Sequence, residues 1–212
     1  MGIRFDLTYE TMPWHKVDTV VFDIGNVLIR YEPRKIVREL FPGDEEKQRH
    51  MLEKVYFAPE WNEFDRGTLE YDDAARMFSQ RYGYAQEDYL RAVRVCLELK
   101  EPIEESWRAV ARCKRAGKRL YLLSNYSREG YLRLRERFAD RFALFDGDCV
   151  SAFYHQIKPE PEIYETLIGK FSLEPERTLF IDDSLANIEA ACARGIHGFH
   201  LHENGMLDRF FL

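Results

Sequence analysis

The 212-residue chain is 45% hydrophobic and 32% charged, a balance that builds a globular core and excludes an intrinsically disordered chain. A formal net charge of -6 argues against nucleic acid as the main partner, because phosphate-backbone binding needs a concentrated basic surface. No stretch offers the roughly 20 apolar residues of a membrane span, and Arg4, Asp6 and Glu10 interrupt the N-terminal residues where a signal peptide would be apolar. Cys96, Cys113, Cys149 and Cys192 are widely spaced with no CxxC pair, which predicts reduced, mostly buried cysteines and a cytoplasmic protein. Monomer and homodimer both remain open.

Residues 1–16 form an N-terminal extension in which Phe5 to Tyr9 suits either an edge strand or an arm packing on a partner. The first core strand runs from Thr19 into Asp23, where a single carboxylate breaks an apolar run. Gly25 then permits a tight turn or a ligand's close approach to the backbone, and Asn26 tolerates unusual dihedrals. An ordinary β-turn after a buried strand would look similar. From Arg34 to Lys100 the pattern predicts about four short helices and no strand: one opened by Pro33, one opened by Asp44-Glu45-Glu46, one from an N-cap at Thr68 to Gly83, and one from Asp88 to Leu99. Trp61 to Gly67 reads as an aromatic, turn-rich loop among them. This composition shift predicts a helical domain over 34–100, inserted into a core made of 17–33 and 101–212.

After the insertion, strand and helix alternate: a helix over Glu104 to Arg115, a strand ending at Ser124-Asn125, a helix through Tyr131 and Phe138, and a short strand over Arg141 to Phe145 followed by a turn at Asp146-Gly147-Asp148. Then come a helix from Pro161 to Lys170, a strand from Thr178 ending at Asp182-Asp183, a helix from Leu185 to Arg194, a strand over Ile196 to Phe199, and a terminal helix from Met206 to Leu212. The alternation predicts an α/β fold with a doubly wound parallel sheet. Asp23, Ser124-Asn125 and Asp182-Asp183 fall at strand ends, with Lys158 in the loop before a helix. Carboxylates converging there repel one another unless a cation lies between them, and hard oxygen donors suit Mg²⁺. Such a site, with a lysine beside it, suits a phosphoryl group, and a carboxylate oxygen there can attack phosphorus in line.

These stretches resemble the four motifs of the haloacid dehalogenase superfamily. Asp23-Ile-Gly-Asn-Val-Leu28 is similar to its first motif, Leu122-Leu-Ser-Asn125 to its second, Lys158-Pro-Glu-Pro to its third, and Phe180-Ile-Asp-Asp-Ser184 to its fourth. The resemblance runs from Val20 to about His200 and implies a Rossmann-like core with a small helical cap. It implies that Asp23 is the nucleophile, that Ser124 holds the phosphoryl oxygens, and that Lys158 steadies nucleophile and phosphate; Asn125, at the same strand end, offers hydrogen bonds to those oxygens. The implied Mg²⁺ ligands are Asp23, the Gly25 carbonyl and Asp183, with Asp182 close by, either touching the ion or supporting its ligands, and Asn187 bracing the acidic loop. The expected substrate is a small phosphorylated metabolite. A metal-free 2-haloacid dehalogenase or a non-enzymatic scaffold on the same fold are the alternatives, and the paired acids Asp182-Asp183 weigh against both.

Two departures matter. The family's second acidic residue of the first motif, its general acid and base, is replaced by Gly25, as in a branch similar to glucose-1-phosphatase-like enzymes. A cap residue, an ordered water or a group on the substrate must then supply the proton, and substrates with good leaving groups, such as sugar 1-phosphates, lose least. His155 stands where relatives commonly have glycine, and either reaches toward substrate or occupies a loop. Glu63, Asp65 and Arg66 lie where relatives place specificity residues, which predicts Arg66 as a substrate contact; a solvated hairpin is the bland alternative.

Overall fold

The computed structural model describes residues 15–203 and 205–207. Five strands, β1 (Thr19–Phe22), β2 (Arg119–Ser124), β3 (Gly147–Val150), β4 (Thr178–Asp182) and β5 (His197–His200), form one parallel sheet in the order β3-β2-β1-β4-β5. The order reverses at β1, and at such a point the strand ends part to leave a crevice. The register sets Phe22 beside Leu122 and Ile181, so Asp23, Ser124 and Asp182 all emerge at that one edge.

Between β1 and β2 the chain is helical: α1 (Pro33–Leu40), α2 (Glu45–Met51) continuing into a π-turn at Leu52–Tyr56, α3 (Glu60–Arg66), α4 (Tyr71–Tyr82) and α5 (Gln86–Arg94). The local signals act as predicted for α1, which starts on Pro33, and for α2, where the Asp44 carboxylate accepts the Lys47 amide at 2.9 Å. After the insertion come α6 (Glu104–Arg115), α7 (Arg128–Arg137), α8 (Ala139–Phe142), α9 (Pro161–Phe171) and α10 (Leu185–Cys192).

Strand periodicity divides the core. Val20, Phe22, Leu122 and Ile181 join Trp107, Val110, Tyr131 and Leu134 on one face, while Val21, Leu123 and Phe180 meet Ile163, Leu167 and Ile188 on the other. The first cluster continues without a break into the insertion through Tyr56, Phe64, Phe78 and Tyr89. Cys113, Cys149 and Cys192 are free and buried. Among the described residues no helix is long and apolar enough to cross a membrane.

Three local readings need correction. Trp61 to Gly67 is helix α3, ended by Gly67 in the left-handed conformation at φ 72°. Trp61 and Phe64, one turn apart, pack edge to face at 5.5 Å, and Glu60 and Arg66 complement the helix dipole. Thr68 caps no helix; its hydroxyl is held by Glu63, and α4 starts after Glu70. The strand expected over Arg141 to Phe145 is displaced to Gly147–Val150, because Phe142 and Phe145 turn inward onto Trp107. The N-terminal segment Phe5 to Tyr9 lies outside the described residues, as does the terminal helix from Met206 except Met206 and Leu207, which form part of a turn.

Candidate active site

Lys158 is the hub of the crevice. Its ammonium lies 2.8 Å from Asp23 Oδ1 and 2.6 Å from Asp182 Oδ2, and it donates to the Leu123 carbonyl at 3.0 Å. At 4% exposure it is as buried as a core residue. Burial opposes its charge, yet the pull of Asp182 and Asp23 outweighs that and raises its pKa. The backbone beneath it is fixed by Asn125, whose Oδ1 accepts the Lys158 amide at 2.7 Å while its Nδ2 donates to the Lys158 carbonyl at 2.9 Å. Asn125, expected on the substrate, thus spends much of its hydrogen-bonding capacity on holding the lysine loop, although it also lines the cavity.

Asp23 leaves the end of β1 with its amide bonded to the Ile181 carbonyl at 2.9 Å. Burial pushes its carboxyl up to about 6, Asp182 adds to the rise, and Lys158 and the Ser124 hydroxyl pull against it. Asp182 is fully enclosed: Asn187 donates to both its oxygens at 3.0 and 3.1 Å, and the Ser184 amide to Oδ1 at 2.8 Å. Asp183 is half-buried and accepts from Asn26 Nδ2 at 3.1 Å. Asn26 adopts φ 51°, and its Oδ1 takes the Tyr31 amide at 3.0 Å, which closes the turn after β1. Burial raises the Asp183 carboxyl as well.

Ligand oxygens of Asp23, Asp182 and Asp183 all lie within 4.8 Å of one another. This hard-oxygen set, with excess negative charge over the single ammonium, fits a divalent cation such as Mg²⁺. Both Asp182 oxygens already accept two hydrogen bonds, so the donors with capacity left are Asp23 and Asp183. Among the described residues no backbone amide donates to the Gly25 carbonyl, which leaves it available as a neutral oxygen.

Above the carboxylates is a cavity of about 280 Å³, walled by Tyr31, Trp61, Phe64, Tyr71, Leu97 and Tyr126. Lys100 stands in that wall, donating to the Tyr126 hydroxyl at 2.7 Å and lying 5.0 Å from the Tyr31 ring centroid. Asp65, at the end of α3, faces the same space. Its neighbours bolt it to the core: Arg66 pairs with both oxygens of Glu160 at 2.9 and 2.6 Å, and the Ser151 hydroxyl donates to the Asp65 carbonyl. Arg66, expected to touch substrate, is instead this latch and lies outside the cavity lining. His155 belongs to the latch too; it adopts φ 56°, a left-handed conformation that glycine takes most easily, and its ring contacts the Arg66 carbonyl at 3.0 Å. Sequence reading alone could not place Lys100, Ser151 or the aromatic wall, since each acts through tertiary position and none through a motif.

Gly67 completes the docking, because a Cβ there would lie 2.5 Å from the Ala152 carbonyl oxygen. Gly67→Ala is expected to lower stability by about 1–3 kcal/mol, from a positive φ combined with overpacking, as read by urea denaturation.

A family model described as haloacid dehalogenase-like hydrolase matches residues 17–193. Sesquiterpene phosphatase astK of Aspergillus oryzae is 28% identical over 184 residues, covering 87% of this chain and 89% of that protein. Drimenol cyclase drtB of Aspergillus calidoustus is 24% identical over 196 residues, and this chain spans 35% of its length. Among solved structures, the Asp12Ala mutant of the HAD family enzyme bt-2542 from Bacteroides thetaiotaomicron, in complex with magnesium and inorganic phosphate, superposes with a TM-score of 0.68 at 20% identity over 87% of this chain and 93% of that one. The L-2-haloacid dehalogenase of Xanthobacter autotrophicus gives a TM-score of 0.62 at 16% identity, covering 87% of this chain and 77% of that one.

Proposed function

From its membership of the haloacid dehalogenase-like hydrolases, we propose that this chain is a Mg²⁺-dependent phosphatase of small phosphate monoesters that acts through an aspartyl-phosphate on Asp23. The observation that carries the reading is the convergence of Asp23, Asp182, Asp183 and Lys158 at the switch point of the sheet. A dehalogenase, attacking carbon, has no use for so many carboxylates in one place.

Asp23, Asp183 and the Gly25 carbonyl would hold the cation, with Asp182 orienting Lys158 behind them. A Mg²⁺ bound there would supply positive charge against the phosphoryl oxygens. The free Asp23 oxygen attacks phosphorus in line, while the Ser124 hydroxyl and the Lys158 ammonium receive the non-bridging oxygens. Asn125 keeps Lys158 at that post. Gly25 leaves the leaving-group side without the usual carboxylate.

The wall of Tyr31, Trp61, Phe64, Leu97 and Tyr126 supports an ester whose alcohol is apolar over one that is densely hydroxylated, since such a surface gains by excluding water from carbon. Similarity to a sesquiterpene phosphatase supports the same class. Sugar 1-phosphates, favoured by the first-motif resemblance, are the natural comparison set.

Phosphate release from apolar alkyl and prenyl phosphates and from sugar phosphates, with Mg²⁺ or with a chelator, tests this. The expected result is metal-dependent turnover, faster on the apolar esters and absent in Asp23→Asn. No turnover on any ester, with no Mg²⁺ binding by calorimetry, would sink the phosphatase reading.

A further inference from the structure

We propose that Asp65, delivered by the cap helix α3, is the general acid and base that Gly25 does not provide. The inference rests on the phosphatase reading above, and it begins from space. Gly25 has no carboxylate, and the only heavy atom that a Cβ built there would approach within 4 Å is Asp23 Oδ2, at 3.9 Å. The position beside the nucleophile is therefore open toward the cavity. Among the cavity-lining residues the acids are Asp23 and Asp65, and Asp23 is committed to Lys158. Asp65 and Asp23 thus line the same cavity, the space that a phosphate ester would occupy.

Its placement is rigid. The residue before it, Phe64, is buried against Trp61 and Tyr71. The residue after it, Arg66, is paired with Glu160, and Gly67 sits where no side chain fits against Ala152. Its own carbonyl accepts the Ser151 hydroxyl, which also receives the Tyr126 amide at 2.9 Å. The anchoring loop, residues 151–160, is the loop that carries Lys158, so one segment positions both the phosphate-binding ammonium and the proposed proton donor. With so much structure fixing its backbone, the Asp65 carboxyl has no hydrogen-bond partner among the described residues. A capped or structural aspartate would have one. Burial pushes this carboxyl up to about 7, with Lys100 lowering it, Asp23 raising it and Lys158 lowering it, so it holds a proton near neutrality and can also release one.

The proton balance closes over two steps. As Asp23 forms its bond to phosphorus, the P–O bond to the alcohol breaks, its electron pair stays on the leaving oxygen, and Asp65 gives that oxygen its proton. The alcohol departs and Asp65 is left as a carboxylate. It then removes a proton from a water that attacks phosphorus, the Asp23–phosphorus bond breaks, and inorganic phosphate forms with Asp65 again protonated.

The test compares wild type, Asp65→Asn and the double variant Gly25→Asp/Asp65→Asn on an alkyl phosphate and on 4-nitrophenyl phosphate. Asp65→Asn is expected to lose ~10²–10⁴-fold in turnover on the alkyl ester and far less in the initial release of nitrophenol, which needs no protonation. Because the second step also lacks its base, a covalent phosphoryl adduct on Asp23 should accumulate and be seen by mass spectrometry of acid-quenched protein. Gly25→Asp should recover turnover in the Asp65→Asn background. Equal rates on both esters for wild type and Asp65→Asn, with no adduct, would overturn the role of Asp65 while leaving the phosphatase intact. Inactive wild type on both esters would instead remove the phosphatase reading, and this proposal with it.

Discussion

Lys158→Met is expected to abolish turnover and to lower stability by about 3–5 kcal/mol in a chelator, the cost of stranding buried carboxylates without their counter-charge. Methionine nearly matches the lysine stem in volume, so packing changes little and the loss is electrostatic. The ammonium touches Asp23 at 2.8 Å and Asp182 at 2.6 Å, and all three side chains are buried. Without it, Asp23 and Asp182 must take up protons or repel each other. Mg²⁺ should return part of the lost stability, because a divalent ion supplies the missing charge to the same oxygens. Urea denaturation of wild type and variant, each with Mg²⁺ and with chelator, reads this directly. A variant as stable as wild type in chelator would show that the carboxylates do not depend on the lysine.

Asp65→Asn is expected to stabilise the fold at pH 8 by about 1–3 kcal/mol while costing activity. Burial pushes the folded-state carboxyl up to about 7, well above the ordinary aspartate range of about 3.9, so the native chain binds the proton more tightly than the unfolded chain between those values. The penalty for holding this carboxylate is absent below the unfolded value, grows through the window, and is complete above the folded value. Asparagine never bears it. The stability difference should therefore be largest at pH 8, shrink steadily on acidification and vanish near pH 4, as followed by denaturant midpoints across that range. A difference that did not change with pH would assign the effect to packing. Such a gain in stability on losing a functional group is the usual signature of strain kept for chemistry.

Motif and periodicity make most of the architecture legible in the sequence. The strand ends at Asp23, Ser124 and Asp182 were legible because a lone polar residue after an apolar run marks the rim of a buried parallel sheet. Asn187 was legible as a brace for the acidic loop, and it reaches both Asp182 oxygens. Helix α3 was obscured by Asn62, Asp65 and Gly67, which have turn chemistry locally, whereas the Trp61–Phe64 contact that stabilises the helix depends on the cap core. Phe142 and Phe145 looked like strand residues because aromatic residues favour strands, and only Trp107, distant in sequence, explains why they turn inward. Arg66 illustrates the same limit from the functional side. A cationic residue in a cap suits a phosphate, and nothing local reveals that Glu160 already claims it.

The unbroken apolar cluster that joins Phe22 in the sheet to Phe78 and Tyr89 in the insertion makes the cap a fixed roof. Lifting it as a rigid door would expose to water aromatic surface that is now shared with the core, which opposes such a movement. If the chain is the proposed phosphatase, a fixed roof predicts that the girth and stiffness of an ester change its association rate more than its rate of chemistry, as stopped-flow binding across a series of esters would read.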